Sequence, residues 1–185
     1  MACYNDSKAT NVDATLVALS SFKPGSIVAL LGGRDKGTDL EPLVVRAQET
    51  CKAVVLFGES RARFAQAFLG CVSDAASSVG DAASSMGDAS SSVGDAASSA
   101  SSAGALASNM CEENECKTSL QVIFADHLAD ALEAAFGVAC AGDNILLSPA
   151  CASFDEFSCF EERGSVFKDL VSKRAAAASA QLSSQ

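Results

Sequence analysis

The chain has 185 residues, 49% of them hydrophobic, and a formal net charge of −10. That is apolar material for one domain with a real core, and too much for a disordered chain. With 13 Lys and Arg, unclustered, against 23 Asp and Glu, nucleic acid is excluded as a partner, because neutralising its phosphates takes grouped cations. No apolar run approaches the ~18 to 20 residues of a membrane helix, and MACYNDSKATN is too polar for a signal peptide. The expectation is a cytoplasmic protein without a membrane partner.

The elements follow in chain order. Thr10 or Asn11 caps a first helix carrying Val12, Leu16 and Leu19 on one face. Ser26 to Leu31 (SIVALL) is a short β-branched apolar run, the pattern of a strand buried on both faces. Gly32 and Gly33 turn the chain, and Asp39 caps a helix with Leu40, Leu43, Val44 and Ala47 at i, i+3, i+4 and i+7. Pro42 falls in that helix's first turn, where proline is tolerated. Ala53 to Phe57 predicts a second buried strand, and Ser60 to Leu69 a helix.

Asp74 to Gly104 stands apart. It repeats every seven residues, with Asp74, Asp81, Asp88 and Asp95 in register, but each repeat offers one sizeable apolar residue (Val79, Met86, Val93). A coiled coil needs apolar residues at both a and d. The segment, with its flanks spanning 72–110, is read as a flexible, low-complexity surface insertion in a single domain of residues 1–185, a weak Ala-rich helix being the alternative.

Beyond it, Leu120 to Phe124 predicts a third strand and Asp126 opens a helix with Ala129, Leu132 and Phe136 on one face. Asn144 to Leu147 predicts a fourth strand, and Phe160 to Lys173 a last helix bringing Phe160, Phe167, Leu170 and Val171 together. Strands alternating with helices demand crossover connections, so the fold class is α/β: a Rossmann-like, mostly parallel sheet flanked by helices. The eight cysteines are read as reduced thiols, with Cys51, Cys71 and Cys140 packed in apolar runs. Cys111 and Cys116 in CEENEC have no partners to complete four ligands, so no metal site is expected.

In such sheets, ligands bind at the carboxyl ends of the strands. Three polar loops fall there: NDSKATN (Asn5 to Asn11), GGRDKGTD (Gly32 to Asp39) and SPACASF (Ser148 to Phe154). They carry Lys8, Lys36, Thr10 and Ser153 beside helix starts, groups that hold a small carboxylate or phosphate. Taken singly, the glycines read as tight turns, Asp6 and Asn11 as caps and Lys36 as solvated; jointly the loops are harder to dismiss. Neither GxxxxGK[ST] nor GxGxxG occurs, which argues against a phosphate loop or a dinucleotide site. His127, the one histidine, lies at a helix start away from these loops and reads as a surface or capping residue. Without a histidine in a matching loop, Cys151 makes a weak hydrolase nucleophile. Small Ala150, Cys151 and Ala152 would let backbone N–H groups approach an anion, with Pro149 stiffening the turn.

NDSKATN, LLGGRDKGTDLEPL and DNILLSPACASFDEFSCFEERGSVF together resemble the C-terminal domain of the Mur ligase family, in its branch of UDP-N-acetylmuramoyl-L-alanine:D-glutamate ligases of peptidoglycan synthesis. The resemblance runs from Asn5 to Val171, interrupted by the insertion. It implies a Rossmann-like domain that supplies D-glutamate, whose amine attacks an acyl phosphate formed on UDP-N-acetylmuramoyl-L-alanine. It further implies that Lys36 and Thr10 hold one carboxylate of D-glutamate, and Ser153 with the backbone around Phe154 and Phe160 the other. Asp6 and Lys8 would lie on the nucleotide and acyl-phosphate side. No catalytic residue is implied in this domain. ATP and Mg²⁺ would be held mainly by the family's central domain, which with the N-terminal domain is the implied protein partner. Neither motif set is present in these 185 residues, so the chain alone is expected not to form the amide. The alternative is an orphan, non-enzymatic module that binds an acidic amino acid or a partner protein.

Overall fold

The computed structural model describes residues 1–77 and 120–182. Its described elements are β1 (Ala2–Asn5), α1 (Val12–Leu19), β2 (Ile27–Gly32), α2 (Glu41–Thr50), β3 (Cys51–Phe57), α3 (Arg61–Ser77), β4 (Gln121–Phe124), α4 (Leu128–Val138), β5 (Asn144–Ala150) and α5 (Phe160–Leu182). The five strands form one sheet in the order β1-β5-β2-β3-β4, and every neighbouring pair is parallel. The expected α/β class is what the chain adopts.

Alternation along the central strands builds two cores. Ile27, Ala29 and Leu31 of β2 point to one face with Val54, Leu56 and Leu146, under α1, α2 and α3, where Leu19, Leu43, Val44, Phe64 and Phe68 close the layer. Val28 and Leu30 point to the other face with Val55, Phe57, Ile145 and Leu147, under Leu128, Ala131, Leu132 and Ala135 of α4 and Phe167 of α5. β2 is buried at every residue, as its unbroken apolar run predicts.

Local chemistry sets the helix starts. Asn11 Oδ1 accepts from Ala14 N–H at 2.8 Å and caps α1. Asp39 Oδ1 accepts from Glu41 N–H at 3.0 Å, although Leu40 is the residue at the cap position of α2. His127 occupies the cap position of α4 without a side-chain capping bond. Glu156 Oε2, from the loop after β5, accepts from Leu128 N–H at 3.2 Å instead.

Several sequence expectations need correction. β1 was not expected; its ACYN is a mostly exposed edge strand with no apolar alternation to reveal it. β3 begins two residues early at Cys51, and β5 runs three residues further to Ala150, so Ser148 and Pro149 are strand rather than turn. Ala129 faces solvent, and the buried face of α4 is Leu128, Ala131, Leu132 and Ala135. Cys140 is exposed, whereas Cys51 is buried as expected. α3 and α5 extend past their expected ends to Ser77 and Leu182. Residues 78–119, with most of the Asp-Ala-Ser-Gly repeat and the CEENEC pair, lie outside the described residues.

The topology places the site. From β2 the chain runs outward through β3 to β4, then returns to insert β5 on the opposite side of β2. Connections leaving β2 and β5 therefore diverge at the carboxyl edge, where a crevice opens.

Candidate functional site

The three polar loops meet at that edge and are fastened by backbone hydrogen bonds. Asp6 N–H donates to Leu147 C=O at 2.8 Å, and Ala150 N–H donates to Ala9 C=O at 3.0 Å, joining the first loop to the third. Arg34 and Ala152 exchange both bonds, 2.8 and 3.1 Å, as an isolated antiparallel bridge between the second loop and the third. Such close approach needs glycine at Gly33: its φ is +129°, and a Cβ there would lie 2.3 Å from Ala152 C=O. Arg63 of α3 then ties down the second loop, donating to Asp35 Oδ2 at 2.6 Å and to Thr38 C=O.

Beneath the loops lies Arg163, in α5 and fully buried. Its Nε donates to Ser7 Oγ at 2.9 Å, its Nη2 to Ser7 C=O at 2.9 Å, and both Nη atoms to Cys151 C=O at 3.2 Å. Ser7 Oγ in turn donates to Phe160 C=O at 2.8 Å. One guanidinium therefore sets the first loop, the third loop and the start of α5 relative to one another. Burial draws its pKa down to about 10, with Asp155 and Cys151 opposing, so it stays charged at neutral pH.

Above this scaffold is a cavity of about 240 Å³ lined by Thr10, Lys36, Ala152, Ser153, Phe154, Cys159, Phe160 and Glu161. It is smaller than the roughly 300–1,000 Å³ of a drug-sized ligand pocket, a size for a metabolite of few atoms. Ser153 is 2% exposed, yet its hydroxyl makes no hydrogen bond among the described residues. Lys36 likewise has no ion pair among them, so the cavity presents a free cation and an accessible, unpartnered hydroxyl. Phe160, also on the wall, is the first residue of α5, a 23-residue helix whose N-terminus carries partial positive charge. A small anion matches this chemistry.

The chain is similar to many curated proteins, three of which illustrate the likeness. Each carries the name UDP-N-acetylmuramoylalanine–D-glutamate ligase. The protein of Latilactobacillus sakei subsp. sakei (strain 23K) is 36% identical over 168 residues, 91% of this chain. That of Solibacter usitatus (strain Ellin6076) is 33% identical over 168 residues, also 91%, and that of Koribacter versatilis (strain Ellin345) 34% identical over 172 residues, 93%. The chain spans only 27% of the length of each of these relatives. The chain corresponds to the C-terminal domain of the Mur ligase family. No protein-family model matches it.

Within this Mur ligase domain, the five residues expected around a substrate, Thr10, Lys36, Ser153, Phe154 and Phe160, all line the one cavity. Asp6 and Lys8, expected on the nucleotide side, do not line it. Asp6 Oδ2 accepts from Ser148 Oγ at 3.3 Å below the first loop, and Lys8 is exposed. The backbone N–H groups of Ala150 and Ala152, expected to face an anion, are instead spent on Ala9 and Arg34. His127 is surface-exposed and does not line the cavity; its Nδ1 lies 3.8 Å from Glu156 Oε1, past the end of the third loop. Burial pushes the Cys151 thiol up to about 11, partly offset by a 3.6 Å contact with Ser60 Oγ. That is the opposite of nucleophile activation.

Three residues of this site were not singled out from the sequence: Arg163, which sets the loops, and Cys159 and Glu161, which line the cavity. The signal for Arg163 was its position in FEERGSVF, three residues after Phe160 and four before Phe167, on the same helical face as both.

Proposed function

We propose that this chain is the D-glutamate-binding part of the ligase that joins D-glutamate to UDP-N-acetylmuramoyl-L-alanine in the cytoplasm, during peptidoglycan synthesis. The observation that carries the reading is the convergence of Thr10, Lys36, Ser153, Phe154 and Phe160, from three separate loops and a helix start, on one small cavity. The names borne by relatives 33–36% identical support it. Lys36 and Thr10 hold one carboxylate of D-glutamate, and Ser153 with the backbone near Phe154 and Phe160 holds the other. Two anion-binding groups on neighbouring loops suit a ligand with two carboxylates.

The domain's contribution is position. Loops pinned by Arg163 and by the Arg34–Ala152 bridge hold the amine at a fixed place, and reactants held in attack geometry react far faster than free ones. No group of three His, Cys, Asp or Glu among the described residues could hold a metal, and the sequence contains no phosphate loop. We therefore assign ATP and Mg²⁺ to the central domain of the ligase, where ATP supplies the phosphoryl group that activates the acceptor carboxylate. By the same assignment the N-terminal and central domains are this chain's partners, and without them it forms no amide. No described helix is long and apolar enough to cross a membrane.

In the complete ligase, Lys36→Ala and Ser153→Ala should each raise KM for D-glutamate. Loss of a hydrogen bond to a charged group, about 1.5–3 kcal/mol, corresponds to roughly tenfold to hundredfold. Unchanged D-glutamate kinetics in both variants would remove the residue assignment.

A further inference from the structure

The cavity wall holds one group that does not suit a simple anion site. Glu161 lines it together with Lys36, and Glu161 has no hydrogen bond or ion pair among the described residues. Its neighbour is differently employed. Glu162 Oε2 accepts from Ser158 N–H at 2.7 Å, and that backbone bond, with a second from the Ser158 side chain, holds the Glu162 carboxyl below its ordinary range. Of the two acids in the first turn of α5, one is committed to the helix start and the other is free on the cavity.

A free carboxylate beside an anion is unfavourable. Like charges at close range repel, and more strongly near a protein surface than in bulk water. A dicarboxylate alone would meet that repulsion from Glu161 while gaining from Lys36, Thr10 and Ser153. An acidic amino acid carries an ammonium as well, which turns the same carboxylate into a partner.

We propose that Glu161 is the counter-charge for the ligand's ammonium, so that the cavity selects a zwitterionic acidic amino acid over a plain dicarboxylate of the same length. This rests on the D-glutamate reading above and deepens it. Glu161 fixes the nitrogen end of the ligand, while Lys36, Thr10 and Ser153 fix the carboxylates, so three charges on the ligand meet separate groups on the wall. Because Glu161 is solvent-exposed and unpaired, its replacement disturbs no packing.

The test is an NMR titration of the 185-residue chain, wild type and Glu161→Gln, with D-glutamate and with glutarate, which has the same two carboxylates and no ammonium. In the wild type, D-glutamate should bind at least about tenfold tighter than glutarate, the scale of one charge-assisted hydrogen bond. In Glu161→Gln, D-glutamate should weaken by about tenfold while glutarate binds as well or better, so that the preference collapses. Glu162→Gln, on the helix cap, should retain the wild-type ratio. An unchanged ratio in Glu161→Gln overturns the role of Glu161 and leaves the cavity's assignment standing. No saturable shift with either ligand in the wild type overturns that assignment, and this proposal with it.

Discussion

Replacing Arg163 by Met tests how the site is held together. The substitution keeps most of the side-chain volume but removes every donor of the guanidinium. Cys151 C=O loses two bonds of 3.2 Å and Ser7 C=O loses one of 2.9 Å. Both carbonyls sit where no water replaces the donor, because Arg163 is fully buried and Ser7 and Cys151 nearly so. Ser7 Oγ loses the Nε donor but keeps its own bond to Phe160. Two stripped carbonyls at about 1–3 kcal/mol each, less the relief of no longer burying a charge, leave a net loss of about 2–4 kcal/mol. That is a drop in Tm of roughly 5–15 °C for a domain of this size. The chain has no Trp, so far-UV circular dichroism in urea is the assay, with the slope of the transition unchanged. Arg163→Lys should lose nearly as much, since a single ammonium cannot reproduce a fork spanning both loops. A shift below about 0.5 kcal/mol in Arg163→Met, the range of an ordinary surface substitution, would refute the claim that this residue pins the loops.

Three further outcomes follow from particular contacts. Gly33→Ala should destabilise by on the order of 2–4 kcal/mol and break the Arg34–Ala152 bridge, because its Cβ would meet Ala152 C=O at 2.3 Å; loss of slow amide exchange at Arg34 and Ala152 is the readout. Lys52 Nζ donates to Asp143 Oδ2 at 2.7 Å and to Cys140 Sγ at 3.2 Å. Bonding to Asp143, then to Cys140, raises the Lys52 pKa, while Asp143, pushed up by burial, is brought below its ordinary value by Lys52 and Cys140 N–H. The lowered carboxyl gives stability that is lost as pH falls through its folded pKa, and the raised ammonium gives stability lost as pH rises through its own. Asp143→Asn should therefore cost up to about 1 kcal/mol at pH 7 and almost nothing in strong acid, as urea midpoints at the two pH values would show. In iodoacetamide labelling at pH 8 followed by peptide mapping, exposed Cys140 should react in the folded protein. Cys51 and Cys151 should react only on unfolding, because burial raises their pKa values to about 12 and 11.

Much of the fold was legible because its central strands are buried on both faces. IVALL and AVVLF have no polar residue to confuse the reading, and the Leu43, Val44, Ala47 spacing marks α2 without ambiguity. What was hidden lies where burial and sequence pattern part company. β1 is an edge strand held mainly by pairing with β5, from Ala2 opposite Asn144 to Asn5 opposite Leu147, so its residues show no core alternation. Cys140 stands in a mildly apolar run but sits in the exposed turn before β5, and Ala129 is small enough to suit either face of α4.

The site divides in the same way. Side chains at the cavity could be chosen by residue type, since lysine and hydroxyls at strand ends mark an anion site wherever they converge. The backbone could not be chosen so. That Ala150 and Ala152 spend their N–H groups on neighbouring loops depends on tertiary approach at Gly33. Arg163 was hidden for a related reason: a charged residue in a helix reads as solvated unless its buried carbonyl partners, 12 and 156 residues away in sequence, are known.

The most direct test of the central claim is a titration of the chain with D- and L-glutamate, followed by NMR. The account predicts saturable shifts with the D isomer at Thr10, Lys36, Ser153 and Phe160, and weaker or no shifts with the L isomer. Equal shifts for both isomers, or shifts confined to residues away from that cavity, would contradict it.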